Sequence, residues 1–136
     1  MSHNRIHGFF ASVVVAAVAL LPFAGTAFAG AQDYRFEAVQ PHVKSGKDRE
    51  IAVRLIHVPS GKPIPNAVIF QTRLDMSPNG MADMAAKVKP LTSDEPGIYR
   101  FQAEFGMAGG WAFNLAAKVP GETETVRGKV VITATK

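Results

Sequence analysis

The sequence predicts an all-β, immunoglobulin-like sandwich of about seven strands, preceded by an N-terminal signal peptide. Two observations carry the fold. Apolar residues recur at every second position in short runs, the period of a strand with one buried face. Those runs are separated by Gly, Pro, Asn and Asp, and no segment sustains a 3.6-residue apolar period. A third observation sets where the domain begins. Arg5 is the only full positive charge before Arg35, and an apolar run from Phe9 to Leu21 follows, broken only by Ser12. Pro22 ends the run, and Ala27-Phe28-Ala29 supplies small residues at the positions a signal peptidase reads. A membrane-spanning helix needs about 20 apolar residues, and this run is too short before Pro22. Residues 1–29 are therefore expected to be a cleaved signal and 30–136 one exported domain without a permanent membrane anchor.

The strands follow in order. Tyr34, Phe36 and Ala38 alternate with Arg35 and Glu37, a first strand. Ile51, Val53 and Leu55 form the inner row of a second, and Pro59-Ser60-Gly61-Lys62-Pro63 is a turn. Val68, Phe70, Thr72 and Leu74 give the inner row of a third. Asp75 to Asp83, with Ser77, Pro78, Asn79 and Gly80, reads as a loop. Ala85 to Leu91 is a weaker strand, and Pro90 assigns it to an edge, where a missing N–H breaks no ladder. Tyr99, Phe101, Ala103 and Phe105 share a face. Gly106 to Gly110 connects them to a second inward row, Trp111, Phe113, Leu115, Ala117 and Val119. Pro120-Gly121-Glu122 turns the chain into Val126, Gly128, Val130, Ile132 and Ala134. Tyr99, two residues after Gly97, has the setting of a tyrosine corner, whose hydroxyl bonds back to upstream backbone. A plain core tyrosine fits the same residues.

The totals exclude several functions. The net charge is +4 with basic and acidic residues interspersed, and no basic block marks a nucleic-acid surface. There is no cysteine, so thiolate catalysis, redox pairs and Cys-ligated metals are absent, and the domain stands on its core alone. Beyond the leader only His42 and His57 remain, neither beside a nucleophile elbow, and there is no phosphate loop or His-Glu-x-x-His motif. A non-catalytic domain is expected.

The methionines stand out. Met76, Met81 and Met84 fall within ten residues of one another, and Met107 lies in another connection. Thioether sulfur is a neutral, soft ligand that suits Cu(I) rather than zinc or calcium. Core packing accounts for Met76 equally well, since it continues the Leu74 phase.

The segments Leu74-Asp75-Met76-x-Pro78-x-Gly80-Met81-x-x-Met84, Pro96-Gly97-Ile98-Tyr99-Arg100-Phe101, Met107-Ala108-Gly109-Gly110-Trp111 and Ala117-Lys118-Val119-Pro120-Gly121-Glu122 together resemble the YtkA-like/FixH family of bacterial exported domains. The resemblance runs from about Phe36 to Ile132. It implies a small periplasmic β-sandwich associated with heavy-metal, especially copper, handling. Two functions follow as expectations. In one, the protein binds or passes Cu(I) through a Met-rich loop carrying Met76, Met81, Met84 and Met107. In the other, the sandwich is an interaction module that docks on a membrane metal transporter, efflux component or oxidase-assembly factor. FixH proper keeps a membrane anchor, whereas the leader here reads as cleavable.

Overall fold

The computed structural model describes residues 30–136, and the expected signal peptide lies outside them. Ten strands build two packed sheets: β1 (Tyr34–Ala38), β2 (His42–Lys44), β3 (Gly46–His57), β4 (Lys62–Pro63), β5 (Val68–Met76), β6 (Met81–Ala86), β7 (Val88–Leu91), β8 (Ile98–Phe105), β9 (Gly109–Lys118) and β10 (Val126–Thr135). The first sheet has the order β1-β3-β8-β7, with β4 paired to β3; the second has the order β2-β10-β9-β5-β6. β2 runs parallel to β10, and the other pairs are antiparallel. This is the sandwich that the alternating pattern predicts. The strands beyond seven are short pieces and one division: the expected strand Ala85–Leu91 is two strands in opposite sheets.

That division has a simple cause. Ala86 at the end of β6 and Val88 at the start of β7 both pack against the core, each from its own sheet. The period of two runs unbroken through Lys87 while the chain turns the corner of the sandwich, so alternation alone reads one strand. The edge position of Pro90 holds, because β7 closes the first sheet.

The core lies between the sheets. Val53 and Leu55 from β3, Phe101 and Phe105 from β8, and Trp111 and Phe113 from β9 are all buried. Two edge-to-face aromatic pairs bridge the layers, Phe101 with Phe113 at 5.1 Å and Phe105 with Trp111 at 5.5 Å. Gly128 lies under the Phe36 ring; a Cβ there would sit 2.5 Å from the ring edge.

One inward row departs from expectation. Phe70 is 51% exposed and Val68 is also exposed, although the run to Leu74 places them inside. A bulge between Ile69 and Gln71 inserts one extra residue against β9. The phase therefore changes at Phe70: Ile69 faces inward before it, and Thr72 and Leu74 after it.

Tyr99 is a tyrosine corner of long reach. Its hydroxyl donates to the Ile64 carbonyl at 2.7 Å and accepts from the Ala67 N–H at 3.0 Å. Residues 64–67 carry the chain from β4 in the first sheet to β5 in the second, so one phenol fixes the crossover between layers. Burial pushes the Tyr99 phenol above its ordinary pKa, partly opposed by the Ala67 N–H.

Candidate metal centre

The segment read as a flexible loop, Asp75–Asp83, is a tight hairpin. β5 continues through Met76, Ser77–Asn79 form a single 3-10 turn, and Gly80 closes it at φ 73°, where glycine is favoured. The Asp75 carboxylate builds this turn from inside. It accepts the Ser77 N–H at 3.0 Å on one oxygen and the Arg73 Nε–H at 2.9 Å on the other. Burial raises its pKa, but the bonds from Ser77 and the Arg73 guanidinium outweigh that and hold the carboxyl below its usual range. Arg73 also reaches the Ala82 carbonyl at 2.8 Å, clasping the start of β6 to β5.

The hairpin is pinned to the start of β9. The Asn79 side-chain oxygen accepts the Gly110 N–H at 3.1 Å. Gly109, at φ 138°, passes so close that a Cβ would stand 2.5 Å from the Asn79 amide nitrogen and 2.9 Å from the Met76 Cε. The two methionine-bearing segments thus share one end of the sandwich, because β5 and β9 are antiparallel neighbours and the end of one abuts the start of the other.

The four methionines take different places around this junction. Met76, on β5, is fully enclosed in the core with its terminal methyl against Gly109. Met81, its cross-strand partner on β6, is half-buried. Met84 and Met107 are 42% and 40% exposed. Met81 and Met84 therefore belong to an edge strand, which corrects the reading of a Met-rich loop: the Asp75 and Arg73 bonds extend the ladder past the turn formers. Met84 lines an open groove of about 290 Å³ together with Ala86, Lys87, Glu104, Gly106 and Trp111. The Trp111 indole N–H donates to the Met107 carbonyl at 3.2 Å, which ties the Met107 backbone to the same ring. Sequence reasoning assigned Trp111 to the core alone. Its place four residues after Met107 is the signal for its second role, and only the packing of β6 against β8 reveals it.

Harder ligands are placed elsewhere. Among the described residues no three His, Asp or Glu side chains gather as a metal site. His42 lies on β2, two strands from Gly110 across β10. His57 closes the far end of β3, its ring against Tyr34, with Nδ1 2.7 Å from the Ser60 hydroxyl. That pair lacks what a nucleophile needs: no described residue bonds the other ring nitrogen to orient it. Ser60 also contacts the His57 carbonyl and the Lys62 N–H at 3.4 Å, so the pair clasps the turn into β4.

Residues 28–116 match the family model described as YtkA-like. The chain belongs to the YtkA-like family. The matched stretch includes all four of these methionines and Trp111, and it ends within β9. No curated protein matches the chain. Among solved structures, it is similar to a ZirS C-terminal domain at 8% identity and a TM-score of 0.45, covering 98% of this chain and 88% of that one. The Lin-41 filamin domain follows at 15% identity and a TM-score of 0.42, covering 79% and 94%. A conjugative transposon lipoprotein from Bacteroides eggerthii has 13% identity and a TM-score of 0.33, covering 76% and 98%. The geometry of this YtkA-like domain therefore rests on its own residues: an edge strand that brings the Met84 side chain to a groove lined by Trp111, and a loop whose Met107 carbonyl is bonded to that same ring.

Proposed function

We propose that this YtkA-like domain is a non-catalytic accessory protein that binds and passes Cu(I) at the hairpin end of the sandwich. The observation that supports the reading is that Met84 lines the groove over Trp111, whose indole N–H holds the Met107 backbone carbonyl beside it, with Met81 on the same edge strand. Soft, neutral sulfur suits a soft monovalent ion, and an exposed pair exchanges a cargo ion more readily than a closed shell. Met76 takes part as the buried anchor of the hairpin; its sulfur reaches an ion only if the hairpin opens. Cargo transfer by ligand exchange needs no redox turnover by the protein. The proposal extends to setting. The domain is exported by cleavage after Ala29 and acts in the periplasm beside a membrane metal transporter, an efflux component or, as in FixH systems, a copper pump for oxidase assembly.

The test is competition against a Cu(I) chelator, with Trp111 fluorescence as a second readout, since it is the chain's one tryptophan. Replacing Met84 and Met107 with Leu keeps apolar volume and removes sulfur. The parent should bind one Cu(I) with a change in Trp111 emission, and the double variant should lose both while staying folded. Because thioethers do not titrate, affinity should be similar at about pH 5.5 and 7.5, on either side of the ordinary histidine range. A Leu variant that holds Cu(I) as tightly as the parent would refute the site. The interaction-module reading would then take its place.

A further inference from the structure

The charges of this domain are interspersed along the chain but segregated in space. Among the described residues, four of the five ion pairs involve the first sheet and its loops: Arg35–Glu37, Arg54–Glu37, Arg100–Glu50 and Arg100–Glu95. The second sheet is different. Along β2, β10, β9 and β5 the single acidic residue is Asp75, which is buried and bonded to Arg73. The inward rows of these strands are apolar, so their cations project outward: Lys44 on β2, Arg127 and Lys129 on β10, Lys118 on β9 and Arg73 on β5. Lys44, Lys118, Arg127 and Lys129 form no ion pair among the described residues. The carboxylates nearest in sequence lie off these strands: Asp48 on β3 of the first sheet, Asp83 on edge strand β6, and Glu122 and Glu124 in the β9–β10 connection.

The face is also shaped. Its central strand, β9, turns small or short residues outward. Ala116 stands in register between Arg127 and Gln71, and Asn114 between Lys129 and Arg73. Gln71 and Arg73 on one flank and Arg127 on the other thus wall a trough of about 250 Å³ over the middle of β9, from Asn114 to Ala116. Flanking strands lie about 10 Å apart across the central one, the width of a single extended chain. The Asn114 amide at the floor offers hydrogen bonds, and exposed Phe70 and Val131 lie along the flanking strands.

We propose that the outer face of the second sheet docks an extended, acidic segment of a protein partner, seated in the trough over β9. The charge is complementary, and Arg127 offers the planar fork that carboxylates accept in pairs. Ala116 is already covered by its long neighbours, and the half-buried Asn114 is the part of the floor left open. A flat bilayer would meet only the tips of the walls and leave Asn114 uncovered, which is why the trough fits a chain and not a membrane. This surface is separate from the methionine groove and stands whether or not that groove binds copper.

The experiment titrates the protein with a labelled peptide of alternating Glu and Ser. Binding should occur at low salt and weaken as the Debye length falls from about 30 to about 8 Å. The double reversal R127E/K129E should weaken it at least tenfold, while K47E/K89E, the same charge change on the first sheet, should leave it nearly intact. Asn114→Met, at the open part of the floor, fills the trough without altering charge and should also weaken binding about tenfold. Equal losses from both reversals would overturn the proposal in favour of a diffuse electrostatic attraction. Full binding by the Asn114 variant would remove the trough as the seat. Phosphatidylglycerol vesicles serve as the other arm: vesicle capture that R127E/K129E abolishes, with the peptide ignored, would overturn the protein-segment reading and assign the face to lipid.

Discussion

Replacing Tyr99 with Phe deletes one oxygen and tests how the two sheets are held in register. That oxygen donates to the Ile64 carbonyl at 2.7 Å and accepts from the Ala67 N–H at 3.0 Å. Each such bond contributes a net of about 0.5–1.5 kcal/mol, and a buried partner left unpaired costs about 1–3 kcal/mol. The ring itself stays, so packing against the core is kept. The phenol is only part-buried, which lets water reach one of the two orphaned groups. The expected loss is therefore about 2–3 kcal/mol, near the middle of the sum. For a domain of about 100 residues each kcal/mol shifts the melting temperature by about 4–8 °C, so Tm should fall by about 8–24 °C. Thermal and urea unfolding followed by circular dichroism measure this, with an unchanged urea slope as the check on two-state behaviour. Tyr34→Phe is the control. Its hydroxyl bonds the Glu122 carboxylate at 2.8 Å, a side-chain pair that fixes no backbone crossover. A bond to a charged group contributes about 1.5–3 kcal/mol, and its partly exposed setting puts this one at the low end, so the loss should be about 1.5 kcal/mol. If the two variants melt together within about 2 °C of the parent, the 64–67 crossover does not depend on Tyr99 and the corner carries no stability.

Two further outcomes follow from the same geometry. Gly109→Ala places a Cβ against Asn79 and Met76 at φ 138°, and strain plus overpacking should cost about 2–4 kcal/mol. Because the clash is with the hairpin, it should also weaken Cu(I) binding more than its effect on stability explains, by displacing β6 from Trp111. Spectrophotometric titration should show both tyrosines ionising late. The Tyr34 phenol is pushed up to about 12 by burial and the bond to Glu122, and Tyr99 is raised by burial. A phenol whose folded pKa is raised stabilises the fold below the unfolded value of about 10, and that contribution disappears as pH climbs through the folded value. Stability should thus fall between about pH 10 and 12, and Tyr34→Phe should flatten that decline.

The sequence by itself determined the layers of this protein. Buried residues such as Phe36, Phe101 and Ala103 alternate with polar neighbours, and a strand half-buried in a sandwich has no other way to satisfy that period. It also marked the methionines and the tyrosine, because their types carry chemistry or reach that few residues share. Tertiary structure decided the rest, for reasons that local pattern does not contain. The bulge at Phe70 reverses the face of two residues without changing their composition. The corner at Lys87 moves β6 and β7 into opposite sheets while the period of two runs on. The methionines acquire different roles only when β5, β6 and β9 meet, leaving Met76 sealed under Gly109 and Met84 open beside Trp111. Likewise Lys44, Arg73, Lys118, Arg127 and Lys129 are scattered among acidic residues along the chain, and no run of them signals a surface. They become one face because hydrogen bonding orders the strands β2-β10-β9-β5, and the pleat turns each of those cations away from the core.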